Sequence, residues 1–236
     1  MRALILNSGL GKRMGVYTEN NPKCMVEIGD DETIVSRQLR ILKKAGINEV
    51  VMTTGPFRKK LEKYVIENAH GMNVHFVDNT DYKSTNYIYS MFLAKDFLDD
   101  DIILMHGDLV FEDSVLYDVV KSDVSCMTVS DSVPLPEKDF KAVIVDGKIT
   151  AVGIEFTSNC ITAQPIYHLK RKDFAMWMKQ IERFCKEGTV SCYAENALNQ
   201  IADQMEIFPL NYKLRLCQEI DKEEDLIDVK RKLSRL

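Results

Sequence analysis

Through its first half the chain alternates short apolar runs with stretches whose apolar residues recur every three or four positions. Ala3–Leu6 is a continuous run suited to a buried strand. Residues Thr33–Ala45 carry apolar side chains at 34, 35, 39, 42 and 45, a helical stripe stopped by Gly46. "EVVMTTG" predicts the next strand, Arg58–Ala69 the next helix and "NVHFV" another strand. Thr85–Leu98 then reads as a helix with Ile88, Met91 and Phe92 on one side. "DIILMHGD" and "SCMTVSD" predict two more strands. This βαβα succession implies an α/β fold, a mostly parallel sheet covered by helices.

The pattern changes after about residue 130. "AVIVDGKITAV" is two β-rich runs around Asp146-Gly147, which predicts a two-residue hairpin. Helical spacing returns at about 171–186 and 194–204, short strands are expected near 206–209 and 215–219, and a last helix starts at about 222. No linker composition or repeat divides the chain, so residues 1–236 read as a single domain. About 1–130 form its core, and about 131–236 add an inserted hairpin and helices that shape a pocket.

Composition narrows the partners. With 236 residues, 45% of them hydrophobic, the chain can bury a substantial core, and its formal net charge of −5 offers no general attraction for nucleic acid or an anionic membrane. The basic ending "KRKLSRL" suits a solvated helix C-terminus. Six cysteines (24, 126, 160, 185, 192, 217) form no CxxC pair and are expected to be free thiols. The four histidines (70, 75, 106, 168) are scattered, which argues against a structural zinc site. The chain enters an apolar strand within two residues of its start, and no run is long enough to span a membrane. A cytoplasmic location is expected, and a homodimer is compatible with this composition.

The candidate chemistry begins at "LILNSGLGKRMG", residues 4–15, a glycine-rich loop directly after a strand. A dinucleotide fingerprint needs a helix to start within the glycines, and "KRMGVYTENNPKCMVEIGDD" shows no helical stripe before Ile34. A P-loop needs four residues between its glycines and a hydroxyl after Gly-Lys, where this chain has Arg13. What remains is a flexible loop presenting Lys12, Arg13 and, beside Pro22, Lys23. Several cations and glycine N–H groups can together neutralise and cradle a triphosphate.

"LILNSGLGKRM…NPKCMVEI" resembles the signature of the nucleotidyltransferase superfamily with a GT-A-like, Rossmann-like core, whose common form is LxAAGxGxRM…PK. Asn7-Ser8 stands where two alanines are usual. The resemblance implies catalytic roles for Arg13 and Lys23. It implies nucleotide contacts from Leu6, Asn7, Ser8, Gly9, Gly11, Lys12, Gly55, Asn86, Ser90 and Gly107. It also implies a Mg2+ cofactor on two aspartates, matched here by Asp108 of "ILMHGDLVF" and Asp221 of "LCQEIDKEEDL". Each directly follows a strand, at the sheet edge where α/β proteins bind ligands. Read on their own, Asp108 is also a common turn residue and Asp221 a common helix N-cap. His106 is a tempting general base, but a phosphate or phosphonate monoester is already anionic and can attack an α-phosphorus directly.

"NTDYKSTNYIYSM", residues 79–91, bears on the acceptor. Alone it reads as a helix start capped by Ser84 or Thr85. It also resembles the branch acting on phosphocholine and 2-aminoethylphosphonate. An acceptor ammonium needs aromatic faces or carboxylates, and the candidates are Tyr82, Tyr87, Phe156, Tyr193 and Glu195, the last equally a helix-dipole partner. "SDSVPLPEKDFKAV" carries no tryptophan, which leaves primary-amine acceptors open. Its Lys138 and Lys141 face either an acceptor anion or solvent. Trp177, at helical spacing in "FAMWMKQIERF", is expected in the core. Joining CMP from CTP to a small amine-bearing phosphate or phosphonate is the implied activity. A sugar-1-phosphate nucleotidylyltransferase using UTP or dTTP and an inactive nucleotide-binding regulator are the alternatives.

Overall fold

The computed structural model describes residues 1–29 and 31–236. Among the described residues there are thirteen strands and seven α-helices: the elements expected from the pattern appear in order, and strands at Glu27–Gly29, Glu32–Thr33, Leu109–Phe111 and Ile161–Leu169 and a helix at Asp113–Lys121 are added that the pattern did not predict. The strands are β1 (Arg2–Leu6), β2 (Glu27–Gly29), β3 (Glu32–Thr33), β4 (Glu49–Thr54), β5 (Asn73–Asp78), β6 (Ile102–His106), β7 (Leu109–Phe111), β8 (Cys126–Ser130), β9 (Lys141–Val145), β10 (Lys148–Gly153), β11 (Ile161–Leu169), β12 (Phe208–Asn211) and β13 (Cys217–Glu219). The helices are α1 (Ile34–Lys44), α2 (Arg58–Glu67), α3 (Tyr87–Ala94), α4 (Asp113–Lys121), α5 (Arg171–Lys186), α6 (Ala194–Asn199) and α7 (Glu223–Leu233).

Among the described residues nine strands form one mixed sheet, ordered β10-β9-β11-β6-β1-β4-β5, with β8 branching from β11 and β12 pairing outside β8. The apolar runs of the first half pair in parallel, β1 lying between β4 and β6, and β5 adding outside β4. Strand β11 then runs antiparallel to β6, β8 and β9, so elements from after residue 130 join the same sheet. Helices bury both faces. One core contains Leu4, Val51, Ile88, Leu104, Tyr167 and Trp177, and the other Ile5, Leu39, Met52, Leu61, Met105 and Leu116. Alternate residues of β1 point to opposite faces, which is why Leu4 and Ile5 belong to different cores.

Local signals account for most boundaries. Thr33 caps α1 by accepting from the Ser36 N–H at 3.1 Å, and Gly46 closes it at φ 84°. Asp146 and Gly147 both adopt positive φ (51° and 76°), the left-handed pair a two-residue hairpin demands. Three boundaries differ from expectation. Helix α3 starts at Tyr87 with Asn86 as its cap, not Ser84 or Thr85, because the Asn86 carboxamide accepts from the Tyr87 N–H. Those two residues instead close a turn on the Asp81 carbonyl. The helical pattern over 194–204 breaks after Asn199 into a separate 3₁₀ turn. The N-cap of α7 is Lys222, while Asp225 accepts from the backbone N–H groups of Asp221 and Lys222 and leaves the Asp221 carboxylate free to turn elsewhere.

The glycine-rich loop contains two short 3₁₀ turns, Lys12–Tyr17 and Lys23–Met25, and no α-helix. Thr18 Oγ1 donates to the Gly11 carbonyl at 2.9 Å, folding the loop on itself. A third, smaller core packs Met14, Val26 and Ile28 of this region against Ile220, Leu226 and Val229, so α7 returns to lie against the loop. Beneath it, a Cβ on Gly55 would lie 2.6 Å from the Ser8 carbonyl oxygen. Gly55→Ala is therefore expected to lower stability by about 1–3 kcal/mol, as overpacking does. The check is a shifted urea midpoint at unchanged slope; an unshifted midpoint would mean the loop yields without cost. The six cysteines are free thiols, as expected. Among the described residues no helix is long and apolar enough to cross a membrane.

Candidate active site

Strand register builds the site. Leu6 of β1 is paired with His106 of β6, and the Gly107 N–H donates to the Leu6 carbonyl at 3.0 Å, so Asn7 and Gly107 leave the sheet side by side. Strand β13 pairs with β7, Glu219 opposite Leu109, and the Ile220 N–H donates to the Asp108 carbonyl. Two segments more than a hundred residues apart in sequence thus bring Asp108 and Asp221 to one sheet edge. Lys23 reaches between them. Its Nζ lies 2.7 Å from Asp108 Oδ2 and 2.6 Å from Asp221 Oδ1, and Arg13 approaches Asp221 at 2.8 Å.

The electrostatics follow from this packing. Burial works against the Lys23 ammonium, but Asp108 and Asp221 outweigh it and hold the group protonated well above the ordinary lysine range. Burial likewise opposes the Asp108 carboxylate, and Lys23 with His106 overcomes it, so its pKa is lowered. Glu219 fares differently: burial, followed by repulsion from Asp108, pushes it up to about 7. His106 Nδ1 meets Glu219 at 2.9 Å, and that bond raises the imidazole pKa against the effect of burial. Burial and the charges of Asp221 and Asp225 raise Asp139.

These groups line a cavity of about 620 Å³. Gly9, Gly11, Lys12, Arg13, Gly107, Asp108 and Asp221 line it around Lys23, and Lys138, Asp139, Phe140, Ile154, Tyr193 and Glu219 form its far wall. A narrower lobe of about 150 Å³ shares Leu6, Gly9, Asn86, Tyr87, His106 and Asp108 with it and runs between Ser8, Asn79, Tyr82 and Thr85. At the far wall four rings gather: Tyr87 lies 4.7 Å from His106 and 5.9 Å from Tyr193, and Phe140 lies 5.3 Å from Tyr193. Half-buried Asp139 stands beside them.

Several sequence-derived assignments change. Ser90 is fully buried and lines neither lobe; its hydroxyl meets Ser8 Oγ at 2.6 Å and accepts from Asn79, so it supports Ser8. Gly55 packs under Ser8 instead of facing the cavity, because the β4 end runs directly beneath the loop. Phe156 lies outside the cavity: β10 ends at Gly153 and the chain bends at 154–155, leaving Ile154 at the wall. Glu195 is neither a wall residue nor a simple dipole partner. It is 1% exposed, beneath Tyr87, and accepts from the hydroxyls of Tyr87 and, at 3.0 Å, Tyr167. Tyr82 belongs to the narrow lobe, away from Tyr193. Lys141 faces neither acceptor nor solvent; its Nζ donates to the carbonyls of Glu137 and Ile154, tying the segment before the hairpin to the strand after it. Trp177 is fully buried and donates to the Ala194 carbonyl, as a core residue does.

Four wall residues escape the sequence reading: Asp139, Phe140, Ile154 and Glu219. Glu219 had a signal, its spacing of two from Asp221, which places both on one side of an extended segment. Asp139 and Phe140 lie in "SDSVPLPEKDFKAV", the stretch that carries no tryptophan.

The donor chemistry suits a hard divalent cation. His106, Asp108 and Glu219 offer ligand atoms within 4.8 Å of one another, as do Asp139, Glu219 and Asp221. Asp108 Oδ1 is buried with no hydrogen-bond partner. Carboxylate oxygens at an NTP-sized cavity are what magnesium takes.

A family model described as "MobA-like NTP transferase domain" matches residues 3–131. The CMP-5'-(3-aminopropyl)phosphonate synthase of Streptomyces rubellomurinus is 36% identical over 116 residues, covering 49% of this chain and 18% of that protein. The CTP:phosphoglutamine cytidylyltransferase of Campylobacter jejuni is 36% identical over 122 residues, covering 49% and 47%. The chain thus matches less than half the length of either relative. The solved CTP:phosphocholine cytidylyltransferase of Streptococcus pneumoniae superposes with a TM-score of 0.80 over 98% of both chains at 19% identity, a likeness of fold.

Proposed function

This chain belongs to the MobA-like NTP transferase domain family, and we propose that it is a CTP-dependent cytidylyltransferase with a small amine-bearing phosphate or phosphonate acceptor. The observation that carries the reading is Lys23 joining two carboxylates at the floor of a cavity whose other end is aromatic and acidic. Choice of cytosine rests on the cytidylyltransferase relatives.

The narrow lobe between Ser8, Asn79 and Tyr82 takes the base, and Gly9, Gly11, Lys12, Arg13 and Lys23 take the triphosphate. Asp108 and Asp221, with Glu219 in reach, would hold magnesium. When bound, the ion neutralises phosphate charge and orients the α-phosphate. An acceptor oxygen then forms a bond to the α-phosphorus while the α–β bridging bond breaks, and the electron pair leaves with pyrophosphate. Arg13 and Lys23 stabilise that charge. Tyr87, Phe140, Tyr193 and Asp139 receive the acceptor's ammonium, the rings through their faces and the carboxylate through hydrogen bonds.

His106 serves the wall, not the proton. Its Nδ1 is held by Glu219, and its ring is packed against Tyr87 and Phe140. His106→Ala is expected to retain turnover within about 100-fold of wild type, whereas loss of a general base costs about 10²–10⁴. A larger fall in a folded variant would make His106 a base.

Pyrophosphate release with Mg2+ tests the function, crossing four NTPs against phosphocholine, phosphoethanolamine, 2-aminoethylphosphonate and glucose-1-phosphate. Turnover is expected with CTP and an amine-bearing acceptor. Turnover confined to the sugar phosphate would overturn the acceptor reading, and CTP binding without any turnover would favour a regulatory protein.

A further inference from the structure

Resting on the nucleotidyltransferase reading above, we propose that the Asn7 carboxamide recognises the ribose hydroxyls of the nucleotide, so that the enzyme selects ribonucleoside over deoxyribonucleoside triphosphates. Asn7 is 8% exposed and lines the main cavity. Its backbone is tied down, the N–H donating to Thr53 Oγ1 at 3.0 Å, but its side chain makes no hydrogen bond among the described residues, and Nδ2 is buried without a partner. A buried amide left unpaired is costly, and a ligand that supplies the partner recovers that loss.

Position and chemistry together indicate which part of the ligand that is. The carboxamide is wedged over Gly107, where an added Cβ would lie 1.6 Å from Asn7 Oδ1. Its chain neighbour Ser8 borders the narrow lobe, and the next residue after Gly107 is Asp108. A nucleotide laid with its base in the lobe and its phosphates at Lys12, Arg13 and Lys23, which line the main cavity and not the lobe, carries its ribose across this point. A hydroxyl both donates and accepts, as does a carboxamide. A phosphate oxygen only accepts, and a metal ion would take Oδ1 and leave Nδ2 unpaired. The signature that this loop resembles has alanine at this position, where the present chain places a carboxamide. Gly107 is its structural counterpart, since only a residue without Cβ leaves room for it.

Calorimetric titration of CTP, 2′-deoxy-CTP and 3′-deoxy-CTP with Mg2+ into wild type, Asn7→Ala and Asn7→Ser tests this. Wild type is expected to bind CTP at least about tenfold more tightly than one of the deoxy analogues, with the ratio collapsing to within about twofold in Asn7→Ala. Asn7→Ser, whose shorter hydroxyl falls short of the ribose, is expected to lose the preference as well and guards against a folding defect in Asn7→Ala. Equal binding of all three nucleotides by wild type, or an equal loss for all three in the variants, would overturn this inference and leave the proposed function standing. Failure of wild type to bind CTP at all would overturn both.

Discussion

Asp108→Asn is expected to lower pyrophosphate release by at least about 10³-fold while changing CTP affinity by less than about tenfold. The substitution is nearly isosteric and keeps an oxygen beside Lys23, whose second partner, Asp221 at 2.6 Å, stays in place. The loop geometry therefore survives, and with it the glycine N–H groups and cations proposed to hold the triphosphate. What the variant loses is one negative charge at the point where the proposed magnesium would be held. Asp108 Oδ1, buried and unpartnered, is the atom most affected. A drop in kcat with KM nearly constant is the signature of an interaction made in the transition state. Asp221→Asn should act in the same direction. Normal turnover in both variants would remove these carboxylates from the chemistry.

Lys23→Met is expected to cost about 3–5 kcal/mol of stability at neutral pH without metal, the penalty for stripping one partner from a buried ion pair. The reason is local. Lys23 is 13% exposed and neutralises two carboxylates, while Asp139 and a partly ionised Glu219 stand beside them. Methionine fills the same volume but leaves Asp108 and Asp221 facing each other through a poorly solvated gap. Magnesium should then raise the melting temperature of Lys23→Met more than that of wild type, because the ion replaces the missing positive charge. Thermal melts with EDTA and with millimolar Mg2+ decide the matter. An unchanged EDTA melt would mean that the ion pair contributes no more than a surface bridge does. Turnover should fall in this variant even with metal present, since a charge that meets the phosphates is gone.

Much of this molecule follows from the chain read locally. The stripe from Ile34, the Thr33 cap, the Asp146-Gly147 turn and the parallel runs of the first half need only neighbours within a few residues, and the structure has each of them. Lys12, Arg13 and Lys23 were equally visible, because a strand, two glycines and a proline fix a loop whatever lies beyond it. Tertiary structure decided what those residues meet. Lys23 and Asp221 are 198 positions apart and Tyr87 and Glu195 are 108 apart, and only the pairing of β13 with β7 and the packing of α3 and α6 on α5 bring each pair together. A bend at 154–155 replaced Phe156 by Ile154 and left Phe140 as the wall's ring; no periodicity encodes where a strand stops beside a partner it has yet to meet. Burial turned Glu195 from a helix-end charge into a tyrosine-bonded support, and set Asn7 against Gly107 with an unsatisfied amide. Propensity and turn chemistry act over a few bonds, whereas desolvation and ion pairing act between whichever groups the finished fold places within a few ångströms of one another.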